Sequence, residues 1–148
     1  MDVEVYSDPE VIQFITDNFI PARAHVKEQP EAFERFGAQW TPTILLMDSE
    51  ASERHRIEGF LPKDDFLAQL RIGLAHAARS RGDFADAERR YRELSSGEGD
   101  VAAESLYWAG VSRYKHSNDA NALGETAKAF QSRFKDSSWA KKASVWNS

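Results

Sequence analysis

The chain has 148 residues, a formal net charge of -5, 41% hydrophobic and 11% aromatic residues, and no cysteine. That length fits one domain or two small ones, with enough apolar side chains for a packed core. Zero cysteine excludes disulfides, thiolate metal sites and thiol chemistry; the acidic balance argues against a nucleic-acid partner, and no run reaches the ~18–20 apolar residues of a membrane span.

Residues 3–6 (Val-Glu-Val-Tyr) alternate and read either as a short strand or as the tail of a longer helix. Ser7-Asp8-Pro9-Glu10 then starts a helix, with Ser7 at the N-cap, Pro9 in the first turn and Glu10 completing a capping box. Its apolar stripe is Val11, Ile12, Phe14, Ile15 and Phe19. Residues 19–26 read as a strand, with Pro21 tolerated near its start or on an edge. A short helix over 30–36 is closed by Gly37. Residues 43–47 (Thr-Ile-Leu-Leu-Met) are a continuous apolar strand, 48–52 a polar turn, and 54–60 a half-exposed strand, so the two strands form an antiparallel hairpin. A further helix opens at Leu61-Pro62-Lys63-Asp64-Asp65, with Phe66, Leu67 and Leu70 apolar. The acids Asp64 and Asp65 suit a helix start, where they face the positive end of the dipole.

The resulting order is (β)αβαββα. Trp40-Thr41-Pro42-Thr43 ahead of an apolar strand, together with Gly59-Phe60 ending the next one, resembles the thioredoxin superfamily, whose corresponding loop carries a cis proline. The resemblance covers about residues 3–70. It implies a cis Thr41–Pro42 bond and a groove in which the Thr41 backbone pairs with an extended peptide, as an added strand. Trp40, Thr41, Pro42, Gly59 and Phe60 would line that groove; Phe60 equally suits ordinary core packing. In the family the loop faces a Cys-x-x-C motif, which this chain lacks. By the same resemblance the cysteine pair would lie just upstream of Met1.

From Leu70 onward the period is helical throughout. Leu74, Ala75, Ala78, Gly82-Asp83-Phe84, Ala87, Tyr91 and Leu94 fall at the spacings of a tetratricopeptide helix pair. Small Ala and Gly allow close approach, and Phe84 and Tyr91 fill the gap between the helices. Residues 95–100 are a flexible break. Residues 102–114 start a second pair, Ser117-Asn118-Asp119 gives its turn, 122–134 supply the next helix, and 134–140 open a last one resembling the link between such repeats. The fold class expected is therefore α/β plus all-α: a partial thioredoxin-like domain over 1–70, followed by tetratricopeptide-like helical hairpins over 71–148.

Repeat register places Tyr107, Val111, Tyr114 and Lys115, and in the first repeat Ile72, His76, Arg79 and Ser80, towards the concave side where such repeats hold partner segments. His76, Arg79, Tyr107, Tyr114 and Lys115 are the partner-binding candidates of the helical region; burial of the aromatics between the two halves is the competing reading. Lys128, Arg133, Lys135, Lys141 and Lys142, against Asp136 alone, read as a solvated basic face. His25, His55, His76 and His116 show no metal-ligand spacing, and His76 and His116 are expected on helix surfaces. Ser7 has no histidine close in sequence to act as a base, so N-capping is favoured over nucleophilic work.

No catalytic residue, cofactor or metal is expected. The function read from the sequence is a non-catalytic protein- or peptide-interaction module on a cysteine-free thioredoxin-like scaffold. The alternative is a fragment of a thiol-disulfide oxidoreductase whose Cys-x-x-C segment lies upstream. A protein or peptide partner, no nucleic acid and no membrane are expected, with a cytoplasmic location. If the central strand is absent, exposed strand edges would favour a homodimer.

Overall fold

The computed structural model describes residues 2–147, with side chains from Val5 onward. The elements in chain order are α1 (Asp2–Ser7), α2 (Pro9–Asn18), α3 (Pro30–Arg35), β1 (Thr43–Met47), β2 (Glu53–Glu58), α4 (Lys63–Ser80), α5 (Phe84–Ser95), α6 (Asp100–Ser117), α7 (Asn121–Ser132), α8 (Ser138–Ala143) and a 3-10 turn (Ser144–Trp146). β1 and β2 form a two-stranded sheet. The chain divides into two compact units, Met1–Leu45 with Arg56–Leu67 and Leu46–His55 with Ala68–Ser148. No helix among the described residues is long and apolar enough to cross a membrane.

In the first unit, residues 3–6 are helical, as part of α1. The N-cap of α2 is Asp8 rather than Ser7. The Asp8 carboxylate accepts from the Glu10 and Val11 amides at 2.9 and 3.4 Å, which fills two of the free amides at the helix start. Lys63 Nζ lies 3.2 Å from Asp8 and 2.8 Å from Glu10. Desolvation opposes ionisation of Asp8, but the Lys63 and backbone hydrogen bonds outweigh it and hold its carboxyl below the usual range. Val11, Ile57, Phe66 and Leu67 are buried.

The strand expected over 19–26 is absent. Residues 20–31 are exposed throughout, and among the described residues no backbone hydrogen bond ties 20–26 to another strand. Pro21 withdraws one donor, and an apolar alternation without a partner strand has no ladder to join. α3 ends as expected, with Gly37 at φ +63°. The Arg56 guanidinium donates to the Phe36 and Gly37 carbonyls, closing the last turn of that helix.

In the second unit, Asp48 organises the hairpin turn. Its carboxylate accepts from the Glu50 and Ser52 amides and from Arg54 Nε at 2.9, 3.0 and 2.8 Å. The Ser52 amide and then Arg54 hold the Asp48 carboxyl below its ordinary range.

Beyond β2 the described residues contain no strand. α4 and α5 turn at Gly82, whose φ of +84° suits glycine, and Asp83 caps α5 by accepting from the Asp86 amide. The first helical core consists of Ile72, Ala75 and Ala78 of α4, Ala87 and Tyr91 of α5, and Ala109 of α6. A second joins Ala103 of α6, Phe130 of α7 and Ala143 of α8, with Tyr107, Trp139 and Trp146 against it. α6 therefore buries small residues around much of its circumference: Ala102, Ala103, Ser105, Ala109, Gly110 and Ser112. A methyl at Gly110 would overlap Thr126 of α7, coming within 2.8 Å of its Cβ and Cγ2, so the α6–α7 approach requires glycine there.

Candidate functional site

Two chain segments of the first unit meet beside β1. Pro42 and Thr43 enter β1, and Gly59 and Phe60 leave β2. The Gly59 amide donates to the Pro42 carbonyl at 2.8 Å, which extends the hairpin pairing by one step and fixes the two segments side by side. The Thr41–Pro42 peptide is cis. Thr43 Oγ1 donates to the Trp40 carbonyl at 2.6 Å, so the loop is closed by its own atoms.

That bonding leaves Thr41 exposed, and no hydrogen bond among the described residues uses its amide or carbonyl. Trp40 is 65% exposed and Phe60 44%. Phe60 is therefore surface rather than core. Tyr6 of α1 lies 6.2 Å from the Phe60 ring and 5.5 Å from the Phe66 ring, where it meets Phe66 edge-on. Gly59 has φ +83° with open space around its Cα; glycine serves the backbone conformation there, not a close approach. The five residues expected at this loop are thus neighbours, and the sequence reading missed Tyr6. Neither the alternation over 3–6 nor its reading as a helix tail places a ring beside residue 60.

The helical candidates divide. His76 is not a surface residue. It is 6% exposed, and its ring bonds inward to Tyr91 and Glu104. Arg79 is half-buried, with Nε on the Tyr91 hydroxyl and its guanidinium 3.8 Å from the centre of the Trp108 ring. Ile72, in the same register, is fully buried. Ile72, His76 and Arg79 share one stripe of α4, and α5 and α6 cover that stripe through Ala87, Tyr91 and Ala109. Tyr107 is half-buried and stacks on Trp146 with ring centres 4.8 Å apart, beside Trp139 at 5.4 Å. Tyr114 is half-buried and Lys115 exposed. His116 is exposed, with Nε2 2.7 Å from Glu88.

Residues 1–73 match the model of a family described as thioredoxin-like domain. Neither a search of curated proteins nor one of solved structures gives a match. The exposed proline loop, the hairpin and the opening of α4 all lie within the matched segment, so the N-terminal part of this cysteine-free chain is similar to a thioredoxin-like domain and is followed by helices.

Proposed function

We propose that the thioredoxin-like part is a non-catalytic module that holds an extended protein segment along Trp40, Thr41 and Pro42. The observation that carries this reading is the free, exposed Thr41 backbone, with exposed rings at Trp40 next to it and at Phe60 on the neighbouring segment. An extended chain can pair with that amide and carbonyl as an added strand. Trp40 and Phe60 offer apolar ring surface to its side chains. Without cysteine, no group in the chain can act as a thiolate nucleophile or resolve a mixed disulfide. Binding is the chemistry that remains. Tyr114 and Lys115 of α6 would be a further contact for a protein partner.

The test uses fluorescein-labelled, reduced and alkylated insulin B chain as an extended apolar probe, read by fluorescence anisotropy. The wild-type chain should bind it. Trp40→Ala should weaken binding about tenfold, as loss of an aromatic anchor does, while stability stays within about 0.5 kcal/mol, because the ring is exposed. Equal binding by wild type and Trp40→Ala, or none by either, would end the proposal.

A further inference from the structure

A connected array of polar side chains surrounds His76 inside the helical unit. Its Nδ1 lies 2.6 Å from the Tyr91 hydroxyl and its Nε2 3.2 Å from Glu104 Oε1. Arg79 Nε donates to the same Tyr91 oxygen at 3.1 Å. His55 of β2 faces His76 with ring centres 5.4 Å apart, and its Nε2 lies 2.6 Å from Gln69 Oε1. Tyr91 is fully buried.

The proton positions follow from which groups must donate. Arg79 can only donate, and the Glu104 carboxylate can only accept. Burial pushes the Tyr91 phenol up to about 12, against the pull of the Arg79 hydrogen bond, so it keeps its proton. The Tyr91 oxygen already receives the Arg79 N–H, and its own hydrogen therefore points to His76 Nδ1. The His76 Nε2–H then serves Glu104. Every donor has an acceptor when His76 carries one proton.

His55 adds the second half of the device. Its Nε2–H is committed to Gln69, and a proton on its other nitrogen would place a cation beside His76. Arg79 of α4 is already positive there. The facing anions are Glu104 of α6 and Glu53 of β2, while Tyr91 of α5 brings no charge. Burial, the largest influence, holds the His55 ring below its ordinary value; His76 adds to that, and Gln69, Glu104 and Glu53 oppose it.

We propose that His55, set against His76, forms an acid-sensitive latch joining β2 to the helices α4, α5 and α6, closed while the His55 ring is neutral and loosened when it takes up a proton. Because the folded chain disfavours a charged His55, the unfolded chain binds more protons. The latch therefore contributes fully above the ordinary histidine range, and its contribution is lost as pH falls through about 6.5 and below.

The test is thermal unfolding of the full chain by circular dichroism at pH 7.5 and 5.5, an interval above carboxylate protonation. Wild type should lose roughly 3–5 °C in Tm on acidification, the scale of a change in one buried pair in a chain of this size. His55→Gln should remove at least half of that loss, and the exposed-site control His25→Gln should keep all of it. His76→Gln should also flatten the response. Should that variant fail to fold, the half-buried His55 still decides. No loss in wild type, or an undiminished loss in His55→Gln, would overturn the latch.

Discussion

The two compact units bury apolar surface by opposite means. In the first, Val11, Ile57, Phe66 and Leu67 are buried, while Tyr6, Ile12, Ile20, Val26, Trp40 and Phe60 remain exposed. In the second, Leu70, Ile72, Tyr91 and Phe130 are packed among many buried Ala, Ser and Gly on close-packed helices, and the exposed large apolar residues among those described are Met47 and Val145. Close packing of small residues leaves little surface unmatched but tolerates no added volume. Large side chains on short helices and loops leave surface available for something else to cover. The contrast separates a unit that leaves large apolar side chains exposed from one that leaves few.

The strongest way to probe the second unit is Leu70→Ala. Leu70 of α4 is 3% exposed, and its truncation should cost about 2–5 kcal/mol in chemical denaturation, as buried Leu→Ala changes do. A loss under 1 kcal/mol would mean that the helical interior is loosely packed, and the contrast between the units would fail.

Gly110→Ala should cost about 1–3 kcal/mol by overpacking, because the added methyl meets Thr126, whose hydroxyl is held by the Ala122 carbonyl at 2.7 Å. The companion change Gly59→Ala meets no neighbour and is strained only through its positive φ. If Gly110→Ala melts like wild type, α6 and α7 have room that close packing denies.

A smaller effect should come from Asp86 on α5. The Arg90 hydrogen bond holds its carboxyl below the ordinary range, against burial and with help from Arg89. Since the folded value is the lower one, its contribution is present above the usual carboxylate range and disappears as pH falls through about 4 and below. Asp86→Asn should therefore show a smaller drop in melting temperature between pH 5 and 3 than wild type does. An unchanged drop would remove Asp86 from the acid response.

Some of this architecture was legible in the chain. The polar stretch 48–52 between an apolar and an alternating run gave the hairpin, Gly37 marked a helix end, and the 40–43 segment identified its loop, because these signals are local. What failed depended on partners. The apolar alternation at 19–26 has no strand to join. The α2 cap fell to Asp8, whose side chain reaches two amides where Ser7 ends the helix before it. His76 sat on a plausible surface stripe until α5 and α6 were packed over it. Helical period identifies a stripe and not its cover, so the array of His55, His76, Tyr91 and Glu104, drawn from four elements, had no signature in spacing. The free Thr41 backbone was expected from the resemblance, but Tyr6 beside Phe60 was not.

Ser105 and Ser112 of α6 lie two turns apart, both fully buried, and neither hydroxyl finds a hydrogen-bond partner among the described residues. A hydroxyl kept from water without a partner weakens the folded state relative to a methyl of nearly the same size. The helical unit thus sits below the stability its own backbone would permit. Alanine at both positions offers a route to a hardier version of the chain whose exterior, and with it any binding surface, is left untouched.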